Sequence, residues 1–294
     1  MINRAAFTML ELIFVIVIMG ILGKFGVEFL AQAYNSFIFS NINNTLQSNS
    51  AAAIETIASR LQFRVKDSII ARQDAATFQA LANSTLAENA RILEWVASDI
   101  DGFRGNSLPL WSGIIDLDAS SADLLNSPDT NTTALNTQIG ILSHSSGTGI
   151  NNAAIYFIGS NNNVNTGYGW DGNPITTQNS VMHPIRAGAA IDEFVPVNGS
   201  TGVDNNFSGV DVYEYYQLAW TAYAVEHQVN GDLVLWYDYQ PWAGETYTDG
   251  QHDILMQGVD TFRFKAVGSV VKIQVCVNTD LVEDYSLCKE KTIY

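Results

Sequence analysis

The residues able to do chemistry are few and scattered. Four histidines occur: His144, His183, His227 and His252. None has a partner at catalytic or metal-binding spacing, and each reads as a surface or loop residue. There is no Gly-x-Ser-x-Gly, no His-Glu-x-x-His and no phosphate loop, so nothing in the sequence supports an enzyme. Acids gather at Asp99 and Asp101 and at Asp249-Gly-Gln-His-Asp253. Oxygen-rich loops can hold calcium, but neither cluster has EF-hand spacing, and solvated loops are the plainer expectation. No other metal or cofactor is expected. Asn131 and Asn206 each lie in an Asp-x-Asn-x-Ser/Thr pattern, Asp129 to Thr133 and Asp204 to Ser208, which some bacteria glycosylate on surface loops. Trp170, Trp220, Trp236 and Trp242 would either line a carbohydrate-binding patch or fill the core. The acid in the costliest place is Glu11, inside an apolar run.

That run must position Glu11, and it reads Phe7-Thr-Met-Leu-Glu11-Leu-Ile-Phe-Val-Ile-Val-Ile-Met-Gly20-Ile-Leu-Gly23. As a helix it is about 26 Å long at 1.5 Å per residue, the short end for spanning a bilayer core. Lys24 can snorkel to an interface, and Arg4 keeps the amino terminus cytoplasmic. A secretory signal peptide places its small-residue cleavage site after the apolar region. Here the small pair Ala5-Ala6 precedes it, so a cut there leaves the segment on the mature chain.

A short basic leader, a small residue, Phe7-Thr8-Met9-Leu10-Glu11-Leu12 and an apolar helix together resemble the class III signal of type IV pilins and type II secretion pseudopilins. Ala6 stands where that family usually has Gly. The resemblance implies cleavage between Ala6 and Phe7 by a prepilin peptidase and N-methylation of Phe7. It pairs Glu11 with the freed amino group of Phe7 on a neighbouring subunit, which would set the register of a filament. It implies other pilins or pseudopilins and an inner-membrane assembly platform as partners. It places the protein as a single-pass inner-membrane chain with its carboxyl-terminal part in the periplasm, later in a filament or at the cell surface. In that oxidising compartment Cys276 and Cys288 read as one disulfide, worth about 3 kcal/mol, with two free thiols the alternative. The chain's size resembles the enlarged minor subunits, the J-type pseudopilin or W-type minor pilin group. The implied function is structural: a minor pilin or pseudopilin acting near the filament tip in assembly initiation. The alternative is a filament-displayed adhesin whose enlarged head binds a ligand or surface.

The chain has 294 residues, with Lys+Arg 14 against Asp+Glu 30 and a net charge of -16. The basic footprint of nucleic-acid binding is missing, so no nucleic acid is expected. Charged residues are only 15%, which predicts a polar, weakly charged surface.

The expected fold is α+β and pilin-like: a long amino-terminal helix packed on an antiparallel head with a large loop-rich insertion. Residues 1–6 form the leader, 7–30 the transmembrane and filament-core helix, and 31–105 the helix continuation and first part of the head. Residues 106–209 form an Asn/Ser/Gly-rich insertion or second lobe, and 210–294 an antiparallel sheet with the disulfide loop. Ala31, Tyr34, Ile38, Ile42 and Leu46 form a helical stripe. With no Pro, no sharp kink is expected. Gly20, Gly23 and Gly26 would either loosen the helix during assembly or allow close helix packing. Residues 61–69 alternate and suggest a strand, 75–82 a short helix, 91–97 a strand and 99–105 a turn. Strands are also expected at 153–158 and 191–197. Asn230-Gly231 predicts a two-residue hairpin turn pairing Val225 with Trp236 and Ala224 with Tyr237. Trp220, Ala222, Ala224, Leu233, Leu235, Tyr237 and Tyr239 would then face the helix. A second hairpin turning at Gly268-Ser269 puts Phe262, Phe264, Ala266, Val271, Ile273 and Val275 on one face and sets Lys265 opposite Lys272.

Overall fold

The computed structural model describes residues 8–143, 147–160, 163–278 and 286–294. The chain opens with helix α1 (Met9–Leu61), followed by strands β1 (Ile70–Arg72), β2 (Phe78–Ala80) and β3 (Ile92–Ala97). A short helix α2 (Ile100–Arg104), strands β4 (Asp116–Ser121) and β5 (Leu124–Asn126) and helix α3 (Thr132–Leu142) come next. Then follow β6 (Ala154–Phe157), β7 (Met182–Ala187), β8 (Glu193–Pro196), β9 (Tyr216–Ala219), β10 (Thr221–His227) and β11 (Leu233–Tyr239). The last strands are β12 (Gln251–Met256), β13 (Val259–Val267), β14 (Val270–Asn278) and β15 (Ser286–Ile293). The layout is α+β, and the strand pairs are antiparallel.

Three sheets form. The head sheet has the order β12-β11-β10-β3-β1-β2, the carboxyl-terminal sheet β13-β14-β15, and the outer sheet β4-β5-β8-β7-β6-β9. The last turns of α1 bury Ala53, Ile54, Ile57, Ala58 and Leu61, a stripe at three- and four-residue spacing. This stripe meets one face of the head sheet (Leu93, Trp95, Val225, Leu235) and the apolar face of the carboxyl-terminal sheet (Phe262, Ile273, Val275). The opposite face of the head sheet is covered too: Ile92, Val96, Ala222, Ala224 and Tyr239 pack with Tyr156, Tyr168, Trp170 and Trp242. A third core lies between α3 and the outer sheet, around Leu135, Ile139, Ile155, Phe157 and Leu218. Double coverage explains why every residue of β3 is buried.

Several local expectations change. Residues 61–69 are not a strand: α1 runs to Leu61 and β1 starts at Ile70. The short helix expected over 75–82 is strand β2 with a 3-10 turn, Leu81–Asn83. Asp74 makes the difference, since its Oδ1 accepts the N–H groups of Ala76 and Thr77 and reverses the chain into a hairpin. The turn expected over 99–105 is α2, capped by Asp99 and ended by Gly105 at φ 56°. Within the Asn-rich stretch the strands expected at 153–158 and 191–197 are present as β6 and β8, and the stretch also supplies α3, β4, β5 and β7.

The first hairpin is out of register by one. Val229, Asn230 and Gly231 form a three-residue loop: Gln228 N–H donates to Asp232 O, Gly231 N–H donates to Gln228 O, and Gly231 takes φ 86°. Val225 therefore faces Leu235, and Ala224 faces Trp236. A bulge at Asp238, φ 59°, shifts the pairing again so that Ala222 meets Tyr239. A one-residue slip exchanges faces. Leu233 and Leu235 still reach the helix side, joined by Tyr223 and Val225, while Ala222, Ala224 and Tyr239 turn to the opposite core. The second hairpin pairs as expected, with Phe262 opposite Val275, Phe264 opposite Ile273 and Lys265 opposite Lys272.

Inside the doubly covered sheet sits an ion pair. Arg72 Nε lies 2.7 Å from Glu94 Oε2, and both side chains are buried. The Tyr239 hydroxyl donates to Glu94 Oε1 at 3.0 Å, and an Arg72 Nη2–H donates to Trp170 O at 2.7 Å. Burial pushes the Glu94 carboxyl up, opposed by Arg72 and Tyr239. Breaking one side of such a pair costs about 3–5 kcal/mol because it strands the other charge. Arg72→Ala should lower unfolding stability in urea by that amount. The double change Arg72→Met with Glu94→Leu should recover most of it.

Candidate functional site

The exposed amino-terminal half of α1 is the candidate site. Thr8 caps the helix in extended conformation, and Glu11 stands at the third helical position. Glu11 Oε2 accepts the Thr8 N–H at 3.0 Å and the Thr8 hydroxyl at 2.9 Å, while Thr8 Oγ1 accepts the Glu11 N–H at 3.4 Å. This reciprocal box satisfies helix-end donors in the single chain. Ala6 and Phe7, the expected cleavage pair, lie outside the described residues. Beyond the cap, the large apolar side chains from Met9 to Phe37 are exposed, among them Phe14, Ile16, Leu22, Phe25, Phe29 and Leu30. The helix is long and apolar enough near the amino terminus to cross a membrane. No side chain or backbone outside the helix lies near Gly20, Gly23 or Gly26.

The head grips the far end of α1. Arg60 donates to the Tyr223 hydroxyl at 3.0 Å and lies over its ring. Arg64 donates to Ser269 O and Tyr294 O, and Lys291 pairs with Glu55. Cys276 and Cys288 form a disulfide directly across β14 and β15. It joins the last strand to the sheet that α1 packs on. The Lys265 and Lys272 juxtaposition is relieved by Glu290, 3.2 Å from Lys272 Nζ.

The other candidate residues are dispersed. Asp249 accepts the Thr246 N–H and hydroxyl at 2.8 and 2.9 Å as a local cap. Asp253 accepts the Tyr237 hydroxyl at 2.8 Å. Burial, aided by Asp253, pushes Tyr237 up to about 12. Asp99 is buried, whereas Asp101 is exposed. Among the described residues no three His, Cys, Asp or Glu side chains gather around a common point for a metal. Asn131 is exposed and caps α3, its Oδ1 accepting the Ala134 N–H. Asn206 is exposed and accepts the Ser208 N–H, while Asp204 is held by both arms of Arg186 at 2.7 and 2.8 Å. That pairing holds Asp204 below the usual carboxylate range.

His183, read as a loop residue, is buried in β7 between Phe157 and Phe207. Burial lowers it to about 3, so its ring is neutral and sits 3.2 Å from Gln178 Oε1. Trp170, Trp220 and Trp242 are buried, which removes them from any surface patch. Trp236 is half-buried against Tyr247 and His252. His144 lies outside the described residues. Sequence reasoning missed a groove of about 1100 Å³ beside β13 and β14, lined by Arg91 and Lys265, by Asp260, and by the ion pairs Arg263–Glu88 and Lys272–Glu290. The alternating cations of the second hairpin were its visible signal.

No family model, curated protein or solved structure matches the chain.

The disulfide closes a 12-residue separation. Removing it as Cys276→Ser with Cys288→Ser should cost about 3 kcal/mol in urea unfolding at unchanged pH.

Proposed function

We propose that the chain is a structural subunit of a type IV pilus or type II secretion pseudopilus, a minor pilin or pseudopilin that enters a filament through α1. The supporting observation is the reach of the helix. The first residue of α1 that packs on the core of the head is Leu46. The helix thus projects about 55 Å from the head at 1.5 Å per residue, whereas a bilayer core takes about 30 Å. The excess carries Tyr34, Phe37 and Phe39 in exposed positions. A plain anchor has no use for a second apolar length outside the lipid. Neighbouring helices in a filament would cover it.

In this reading the leader is removed after Ala6, Phe7 is methylated, and Glu11 exchanges its contact with Thr8 for the amino group of the next subunit. The residue's two roles can be separated. Gln serves a capping box as well as Glu does, but it carries no charge. Glu11→Gln should leave the protein folded and membrane-bound while reducing its recovery in sheared filaments at least about tenfold, since a buried unpaired amine costs several kcal/mol. Wild-type recovery for Glu11→Gln would sink the reading. Native protein should begin at methylated Phe7 by mass spectrometry.

The second reading, an adhesin head, is favoured by one observation: the groove beside β13 sets Arg91, Arg263, Lys265 and Lys272 against Glu88, Asp260 and Glu290, a nearly balanced lining in a chain of net charge -16. Deleting residues 106–209 would not test it, because Tyr156, Tyr168 and Trp170 cover the head sheet. Charge reversal does. Under the assembly reading, Arg91→Glu with Lys265→Glu leaves adhesion of filament-bearing cells unchanged. Under the adhesin reading it abolishes adhesion with filament number intact.

A further inference from the structure

The chain crosses from the outer sheet to the head sheet at a single residue. Strand β9 ends at Ala219 in the outer sheet, β10 begins at Thr221 in the head sheet, and Trp220 lies between them. Asp99 stands against this crossing. Its N–H donates to Leu218 O at 2.7 Å, and its carbonyl accepts the Trp111 indole N–H at 3.0 Å. Its carboxyl Oδ1 accepts the Gly102 N–H at 3.1 Å and the Trp220 indole N–H at a long 3.4 Å. Oδ2 is buried and has no hydrogen-bond partner. It lies against Gly102, where any side chain would collide with it and with Leu135 of α3.

Among the described residues no cation compensates this group. The charge acting on it is Asp101, two residues on, which is another acid. Arg104 of α2 is engaged over the ring of Phe63. The segments packed around Asp99 from β9, from α3 and from the Trp111 loop contribute Leu218, Leu135 and Trp111, none of them charged. A carboxylate that has lost its water and keeps one oxygen unmatched destabilises the state that buries it.

We propose that Asp99 is an acid-set latch on the seam between the outer sheet and the head sheet, closed when its carboxyl is protonated and loosened when it ionises. Burial raises the Asp99 carboxyl from 3.8 to about 6. A folded value above the unfolded one gives stability that is fully present below pH 3.8 and is lost as pH rises through about 6. The shift corresponds to about a hundredfold change in the opening equilibrium, at tenfold per pH unit. His183 titrates in the opposite sense, since burial lowers it to about 3 and its contribution is lost in acid. Comparison with a variant at position 99 cancels that term.

The test is hydrogen exchange on the full-length protein in detergent micelles, following the Asp99 and Gly102 amides from pH 4 to pH 7.5 after correction for intrinsic rates. Relative to Asp99→Asn, which keeps a capping oxygen and carries the same His183 contribution, protection in the wild type should fall about a hundredfold across this range. A ratio of the two profiles that stays flat overturns the proposal. Should the variant fail to fold, the wild-type profile together with the ¹³C titration of the Asp99 carboxyl decides: an inflection near 6 in both supports the latch, and a carboxyl titrating near 4 overturns it.

Discussion

A sheet covered on both faces has nowhere to leave a charge, and the head sheet is such a sheet. Its two central strands, β3 and β10, lie between the helix core and the outer-sheet core. The Arg72 and Glu94 pair is the one charged pair set inside that sandwich, among the described residues. Its outward hydrogen bonds reach Trp170 O from the outer layer and the Tyr239 hydroxyl from β11. The pair thereby tells three segments, distant in sequence, how to stack. Apolar side chains of similar volume would pack as well but would not dictate the same alignment.

How much of this could be read from the residues depends on how many neighbours each signal needs. The long helix needs only its own stripe and lack of Pro, and it is one element from Met9 to Leu61. The second hairpin needs a two-residue turn and clean alternation, and every pairing from Phe262 to Val267 follows. The first hairpin fails by one residue because Asn-Gly supplies positive φ equally well to a three-residue loop. Only the neighbouring strands decide which loop forms. Alternation could not arbitrate there, since β10 is apolar on both faces: Tyr223 and Val225 point one way and Ala222 and Ala224 the other. The strand β5 was faint for a related reason, since it has three residues and gains its order from β8, which the pattern over 191–197 did announce.

The site was legible unevenly. Glu11 stood out as an acid in an apolar run, yet its bond to Thr8 is a local cap that spacing alone also allows. Asp99 read as one half of an acidic pair at a turn. Its burial depends on Trp111, Leu218 and Leu135, which approach from segments that the sequence does not place together. His183 and three of the tryptophans are core for the same reason.

The crossing at Trp220 has a consequence for how the molecule can be made. Strand β3 must pair with β10, from Thr221 opposite Ala97 to Glu226 opposite Ile92, across the whole outer sheet. Closing so long a loop in an unfolded chain is entropically costly and slow. The outer sheet, once formed, brings Asp99 and Leu218 into backbone contact and delivers the two strands side by side. It is in this sense a clasp: with the outer sheet in place the loop between β3 and β10 is already closed, and the segment that interrupts the head in sequence is what joins it in space.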